Sequence, residues 1–232
     1  MIKVGIIGAM DEEVSILKEA MELESVTDIA SMEFYQGKLS GKRVVIVRSG
    51  IGKVNAAVCT QILASVFQVS HVINTGVAGS LKNEINIGDI VLSKDALNHD
   101  MDATGFGYEP GIIPRMDESV FKADERMLNL AKQVNQEVNS DISTYVGRVV
   151  SGDQFISDGE KKKFLVEKFQ GYCTEMEGAA IAQTAYLNQI PYLVIRAISD
   201  KADHSAEMDY SEFERKAIDH TVKLVTELVN RM

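Results

Sequence analysis

Short β-branched runs that end in glycine or a small polar residue recur along this chain, each followed by a longer amphipathic stretch. This alternation constrains the fold most, because a strand apolar on both faces needs helices to cover it. Ile2–Gly8 is the first such run; Val72–Thr75, leading into Gly76, and Tyr192–Ile198 are of the same kind. Further strands are expected over Met32–Leu39, Val44–Arg48, Asp89–Leu97, Thr144–Val150 and Tyr172–Thr174. Helical spacing runs through Val14, Leu17 and Met21 to Leu23–Glu24. It returns over Val54–Phe67, Asp124–Glu137, Asp158–Phe169, Met176–Leu187 and Tyr210–Asn230. Asn98–Met116 is the longest stretch without periodicity, a length that in a compact domain points to function or mobility.

The order implies an α/β three-layer sandwich with a central mixed, largely parallel sheet, into which Met32–Arg48 inserts an antiparallel hairpin. No repeat or Gly/Ser/Pro linker divides the chain, so residues 1–232 read as one domain. In such folds ligands collect where strands end. Five expected strand ends are polar or glycine-rich: Gly8–Glu13, Ser49–Lys53, Gly76–Ser80, Ser151–Ile156 and Ser199–Asp203. A binding cleft is expected there.

A formal net charge of -10 argues against nucleic acid as a partner, since backbone recognition needs clustered Lys and Arg. No stretch approaches the roughly 18 apolar residues that span a bilayer, and the N-terminus reads as a core strand rather than a signal peptide. Cys59 and Cys173 form no CxxC pattern. A disulfide is conceivable, but buried thiols in a reducing, cytoplasmic setting are the preferred reading.

Familiar single motifs are incomplete. Gly5 and Gly8 do not finish GxGxxG, and Gly50-Ile51-Gly52-Lys53 lacks the spacer and Ser/Thr of a phosphate-binding loop. No HExxH or GxSxG occurs. His99-Asp100-Met101-Asp102 has metal-ligating types, yet a solvated polar loop is preferred. Glu160-Lys161-Lys162-Lys163 likewise reads as a solvated helix face. Three carboxylate sets stand at strand ends: Asp11-Glu12-Glu13, Glu175 with Glu177, and Asp200 with Asp203. Each has a bland reading as a helix-start or turn residue. Together at one sheet edge they are candidates for divided acid and base roles.

Six blocks occur in order: Gly5-Ile6-Ile7-Gly8-Ala9-Met10-Asp11-Glu12-Glu13-Val14, Ser49-Gly50-Ile51-Gly52-Lys53-Val54, Ile73-Asn74-Thr75-Gly76, Ser151-Gly152-Asp153-Gln154-Phe155-Ile156, Glu175-Met176-Glu177 and Arg196-Ala197-Ile198-Ser199-Asp200. They resemble those of the bacterial 5'-methylthioadenosine/S-adenosylhomocysteine nucleosidases. His99-Asp100 and Phe106-Gly107-Tyr108 fit the same pattern. The likeness implies a nucleoside phosphorylase-like fold, a homodimer, adenine nucleoside substrates, and hydrolysis without metal or organic cofactor.

By that resemblance, Glu13 is the base that activates water and Asp200 the acid that protonates adenine N7. Glu177 binds the ribose hydroxyls, and Met176 packs on the sugar. Phe155 stacks on adenine and the Ile156 backbone reads its edge, while Ser199 and Arg196 support the acid and the water site. Met10, Ile51, Ala78, Gly79, Glu175 and Tyr210 complete the substrate site. Ala103, Phe106, Tyr108 and Pro114 are lent across the dimer interface to the 5'-alkylthio pocket.

Three departures stand out. Val77 replaces a serine common near the catalytic water, Gly178 replaces an alanine and is read as a neutral packing change, and Ala103 replaces a larger valine. A purine nucleoside phosphorylase of the same fold is the nearest rival, but it would need cations for phosphate where this chain has Asp11, Glu12 and Glu13. A non-catalytic nucleoside-binding module would need neither Glu13 nor Asp200 for proton transfer. An aminodeoxyfutalosine hydrolase would read adenine in the same way.

Overall fold

A computed structural model of the chain describes residues 2–232. Its strands are β1 (Lys3–Gly8), β2 (Glu22–Ile29), β3 (Met32–Leu39), β4 (Lys42–Arg48), β5 (His71–Ser80), β6 (Ile90–Asn98), β7 (Phe121–Lys122), β8 (Thr144–Ser151), β9 (Gly171–Glu175) and β10 (Tyr192–Asp200). The helices are α1 (Asp11–Ala20), α2 (Lys53–Ser65), α3 (Glu125–Val138), α4 (Gly159–Phe169), α5 (Gly178–Leu187) and α6 (Ala206–Arg231). Asp124 and Asp158 cap α3 and α4 by accepting the amides of Met127 and Lys161 at 2.9 and 2.8 Å, which fixes where these helices begin.

The sheet is mixed, as expected, with α/β layering around it. β1 pairs in parallel with both β4 and β5. β5 also pairs with β10, and β10, β6, β8 and β9 continue in order until β9 returns to β5. Five strands therefore close into a ring, and β1, β4, β3 and β2 extend from it as an open sheet. Every residue of β10 is buried, consistent with its largely apolar sequence, in which Arg196 is the one charge before the terminal Asp200. Helices α2 and α5 pack together, and α6 packs with α1 and α3.

The expected hairpin is present as β3 and β4, but a third antiparallel strand, β2, lies outside it. Leu23 and Glu24, read as helical from their spacing, belong to this strand. Six of its eight residues are exposed, so it lacks the alternation of a half-buried strand, and its acidic residues discourage pairing at the sheet edge. Cys59 and Cys173 are buried free thiols. No helix among the described residues is long and apolar enough to cross a membrane.

Candidate active site

Glu13 sits in the first turn of α1, just beyond the end of β1. Its Oε2 accepts the amides of Ala9 at 2.6 Å and Met10 at 3.1 Å, and its Oε1 accepts that of Val77 at 3.1 Å. The helix start and the end of β5 thus hold one carboxylate between them. Burial pushes its pKa up, and the Arg196 charge with the three amides opposes that rise. Gly76 makes the close approach possible: a Cβ there would lie 2.2 Å from Glu13 Oε1.

Asp200 ends β10 after a register shift in its pairing with β5, the kind of irregularity that re-aims a side chain. Its Oδ2 accepts the Ser199 hydroxyl at 2.9 Å and its Oδ1 the Ala202 amide at 2.8 Å. Burial raises its pKa, with Asp209 and Asp203 adding to the rise and the two hydrogen bonds opposing it. A Cβ on Gly79 would lie 2.6 Å from Asp200 Oδ1. Two glycines of β5, three residues apart, therefore make room for two acids, one from the first turn of α1 and one from the end of β10.

Between them lies a buried polar set. Arg196 pairs with Glu175 and also donates to Asn74 Oδ1. Glu175 additionally accepts the Ser151 hydroxyl and the Gly178 amide. Burial works against the Arg196 charge, but Glu175, Glu13 and Glu177 outweigh it. Removing one member of such a pair strands a charge in the interior, at a cost of about 3–5 kcal/mol. Glu177 accepts the Gly52 amide at 2.8 Å; burial, then the Glu175 charge, pushes its pKa up to about 8.

These groups face one concave, largely apolar cleft of the kind that takes a small organic ligand. Glu13, Asp200, Met10, Ile51, Ala78, Gly79, Phe155, Ile156, Glu175, Met176, Glu177, Ser199 and Tyr210 all line it. Segments from all five expected strand ends meet here. Phe155 is 48% exposed and meets Tyr210 edge-on, with ring centroids 6.1 Å apart. Arg196 is not part of the lining; it lies behind Glu175. Ala103, Phe106, Tyr108 and Pro114 also lie outside the lining, and Phe106 is 88% exposed.

The family model of the phosphorylase superfamily matches residues 3–230. A 5'-methylthioadenosine/S-adenosylhomocysteine nucleosidase of Staphylococcus aureus (strain JH9) is 42% identical over 230 residues, 99% of this chain and all of that protein. The chain belongs to this nucleosidase family of the phosphorylase superfamily. A solved family member, from Neisseria meningitidis in complex with methylthio-immucillin-A, is 37% identical, covers both chains fully and superposes with a TM-score of 0.95. A structure described as futalosine hydrolase of Helicobacter pylori is 32% identical, with a TM-score of 0.94, over all of this chain and 98% of that one.

Several site features were not foreseen. Thr174 and Gln154 also line the cleft, and Thr174 Oγ1 is buried with no hydrogen-bond partner among the described residues. Gln154 falls inside the Ser151–Ile156 block without being singled out by its type, and Thr174 belongs to no motif beyond its strand end. The His99–Asp102 segment is the solvated loop expected only at its far end: Asp102 is exposed, whereas His99 is 3% exposed and Asp100 pairs with Lys53 beside the paired ends of β6 and β8. In the Glu160–Lys163 run, Lys162 reaches the Lys201 carbonyl and lies 3.5 Å from Asp203 instead of projecting freely. A Cβ at Gly178 would stand 3.0 Å from Glu175 Oε2, so a larger residue there requires the Glu175 carboxylate to give by a few tenths of an ångström. Among the described residues no group of three or more His, Cys, Asp or Glu is placed to hold a metal ion.

Proposed function

We propose that residues 1–232 act as one catalytic domain that hydrolyses the adenine–ribose bond of 5'-methylthioadenosine and S-adenosylhomocysteine, releasing adenine and the 5'-thioribose product. The observation that carries this reading is the single cleft lined by Glu13 and Asp200, two buried acids, one on α1 and one ending β10, with different electrostatic surroundings. Asp200 gives a proton to adenine N7 as the C1'–N9 bond breaks, because an unprotonated purine leaves poorly. Glu13 takes a proton from water as the water oxygen bonds to C1'. Glu177 accepts ribose hydroxyls, and the exposed face of Phe155 stacks on the base.

A phosphorylase would have to hold a phosphate dianion beside Glu13, where a carboxylate already faces the cleft. Adenine release is therefore expected to proceed at the same rate with and without phosphate. A strict phosphate requirement, with ribose-1-phosphate as product, would overturn hydrolysis. The likeness to a structure described as a futalosine hydrolase supports testing a nucleoside with a different 5' substituent. Turnover of methylthioadenosine, S-adenosylhomocysteine and aminodeoxyfutalosine, measured side by side, ranks the three.

The exposure of Phe106 and the position of Ala103, Tyr108 and Pro114 outside this cleft support a homodimer in which a second copy supplies them to the 5' pocket. Light scattering is expected to give twice the chain mass of 25.5 kDa. An active species of single-chain mass would contradict the shared pocket.

A further inference from the structure

Two loops and the start of α2, each following a separate strand, meet beside the cleft at Asp100. Its Oδ1 lies 2.5 Å from Lys53 Nζ, and its Oδ2 accepts the Asp153 amide at 3.0 Å. Asp153 Oδ1 in turn accepts the Lys53 amide at 2.8 Å, closing a cycle of three residues. The Asp100 and Lys53 side chains are only 16% and 23% exposed, so this pair is better shielded than an ordinary surface pair. Burial disfavours the charged Asp100, but Lys53 and the Asp153 amide outweigh it and hold the carboxyl below its usual range.

Two of the segments that meet at this cycle reach the cleft directly. Gly52, one residue before Lys53, donates its amide to Glu177. Phe155 and Ile156 follow Asp153 by two and three positions and line the cleft. The segment that carries Ala103 and Phe106 starts just after Asp100. Beneath the cycle, His99 donates its amide to the Ser151 carbonyl at 2.9 Å, and its ring packs so closely on Gly152 that a Cβ there would lie 2.5 Å away.

We propose that Asp100 is a positioning residue: through Lys53 and Asp153 it fixes the loop that supports Glu177 relative to the loop that carries the aromatic platform Phe155. The inference rests on the nucleosidase reading. Asp100 touches neither Glu13 nor Asp200, so its loss leaves the proton-transfer groups in place and spreads the ribose and base contacts apart. That predicts a defect in substrate binding rather than in turnover.

The test is steady-state kinetics on methylthioadenosine with Asp100→Asn, Lys53→Met and the double variant, alongside thermal melting. Each single variant is expected to raise KM about tenfold with kcat within about threefold of wild type. The double variant is expected to match the worse single one, because both break the same cycle. If Asp100→Asn does not fold, Lys53→Met carries the test through the same split. Unchanged KM in a folded variant, equal losses confined to kcat, or multiplied effects in the double variant would each overturn the proposal. A wild-type protein that releases no adenine would overturn the nucleosidase reading and this inference together; an active wild type with unchanged variants overturns the inference alone.

Discussion

Replacing Asp200 with asparagine is expected to lower adenine release by about 10²–10⁴-fold while the protein stays folded. The amide has nearly the carboxyl's volume, and its oxygen can still accept the Ala202 amide that now lies 2.8 Å from Oδ1. Its NH2 then faces Ser199 Oγ, which can accept it, with the serine hydrogen turned toward the Ala78 carbonyl at 3.5 Å. What the variant lacks is a proton to transfer. Burial, aided by Asp209 and Asp203, raises the pKa of Asp200, so more of it is protonated near neutrality than of a free aspartate. The wild-type rate should therefore fall on the alkaline side as Asp200 ionises, and the residual rate of the variant should lack that limb. Adenine release measured across pH, with a melting curve for each protein, checks both points. Near-wild-type release by a folded Asp200→Asn protein would remove Asp200 from its role.

What the amino-acid pattern disclosed follows from what local periodicity can carry. β1 and β10 were legible because strands buried on both faces read as largely apolar runs; Asp200 ends β10, and Glu13 follows β1 in the first turn of α1. β2 was not, since its exposed residues are free of the alternation that marks a strand. The closure of β5 onto β10 was also hidden: Val72 pairs with Tyr192, and no local spacing encodes a partner that distant. The site divides in the same way. Strand-end carboxylates announce themselves by type and place, whereas Gly76 and Gly79 matter only through what approaches them in space. The Lys53–Asp100–Asp153 cycle joins the start of α2 to two loops, and no local spacing pairs these three polar residues with one another.

Glu13→Gln is expected to cost turnover on the same scale, about 10²–10⁴-fold, for a reason that differs from the Asp200 case. All three described hydrogen bonds to this side chain come from backbone amides, from Ala9 and Met10 on Oε2 and from Val77 on Oε1. A carboxylate can satisfy them all, but a glutamine must turn its NH2 toward one set of donors. If its oxygen keeps Ala9 and Met10, the Val77 amide loses its acceptor, at about 1–3 kcal/mol for a buried group left unpaired. The variant is therefore expected to melt lower as well as to turn over slowly, while Glu177 and Phe155 still bind the nucleoside. Calorimetric titration with a non-hydrolysable adenine nucleoside analogue separates the two defects: the dissociation constant should change far less than kcat. The pH profile gives the second check. The wild-type rate should rise as Glu13 loses its proton, at a pH above the usual glutamate range because burial raises its pKa. In Glu13→Gln that acid limb should vanish while the alkaline fall set by Asp200 stays. An unchanged acid limb in the glutamine variant would mean that another group prepares the water.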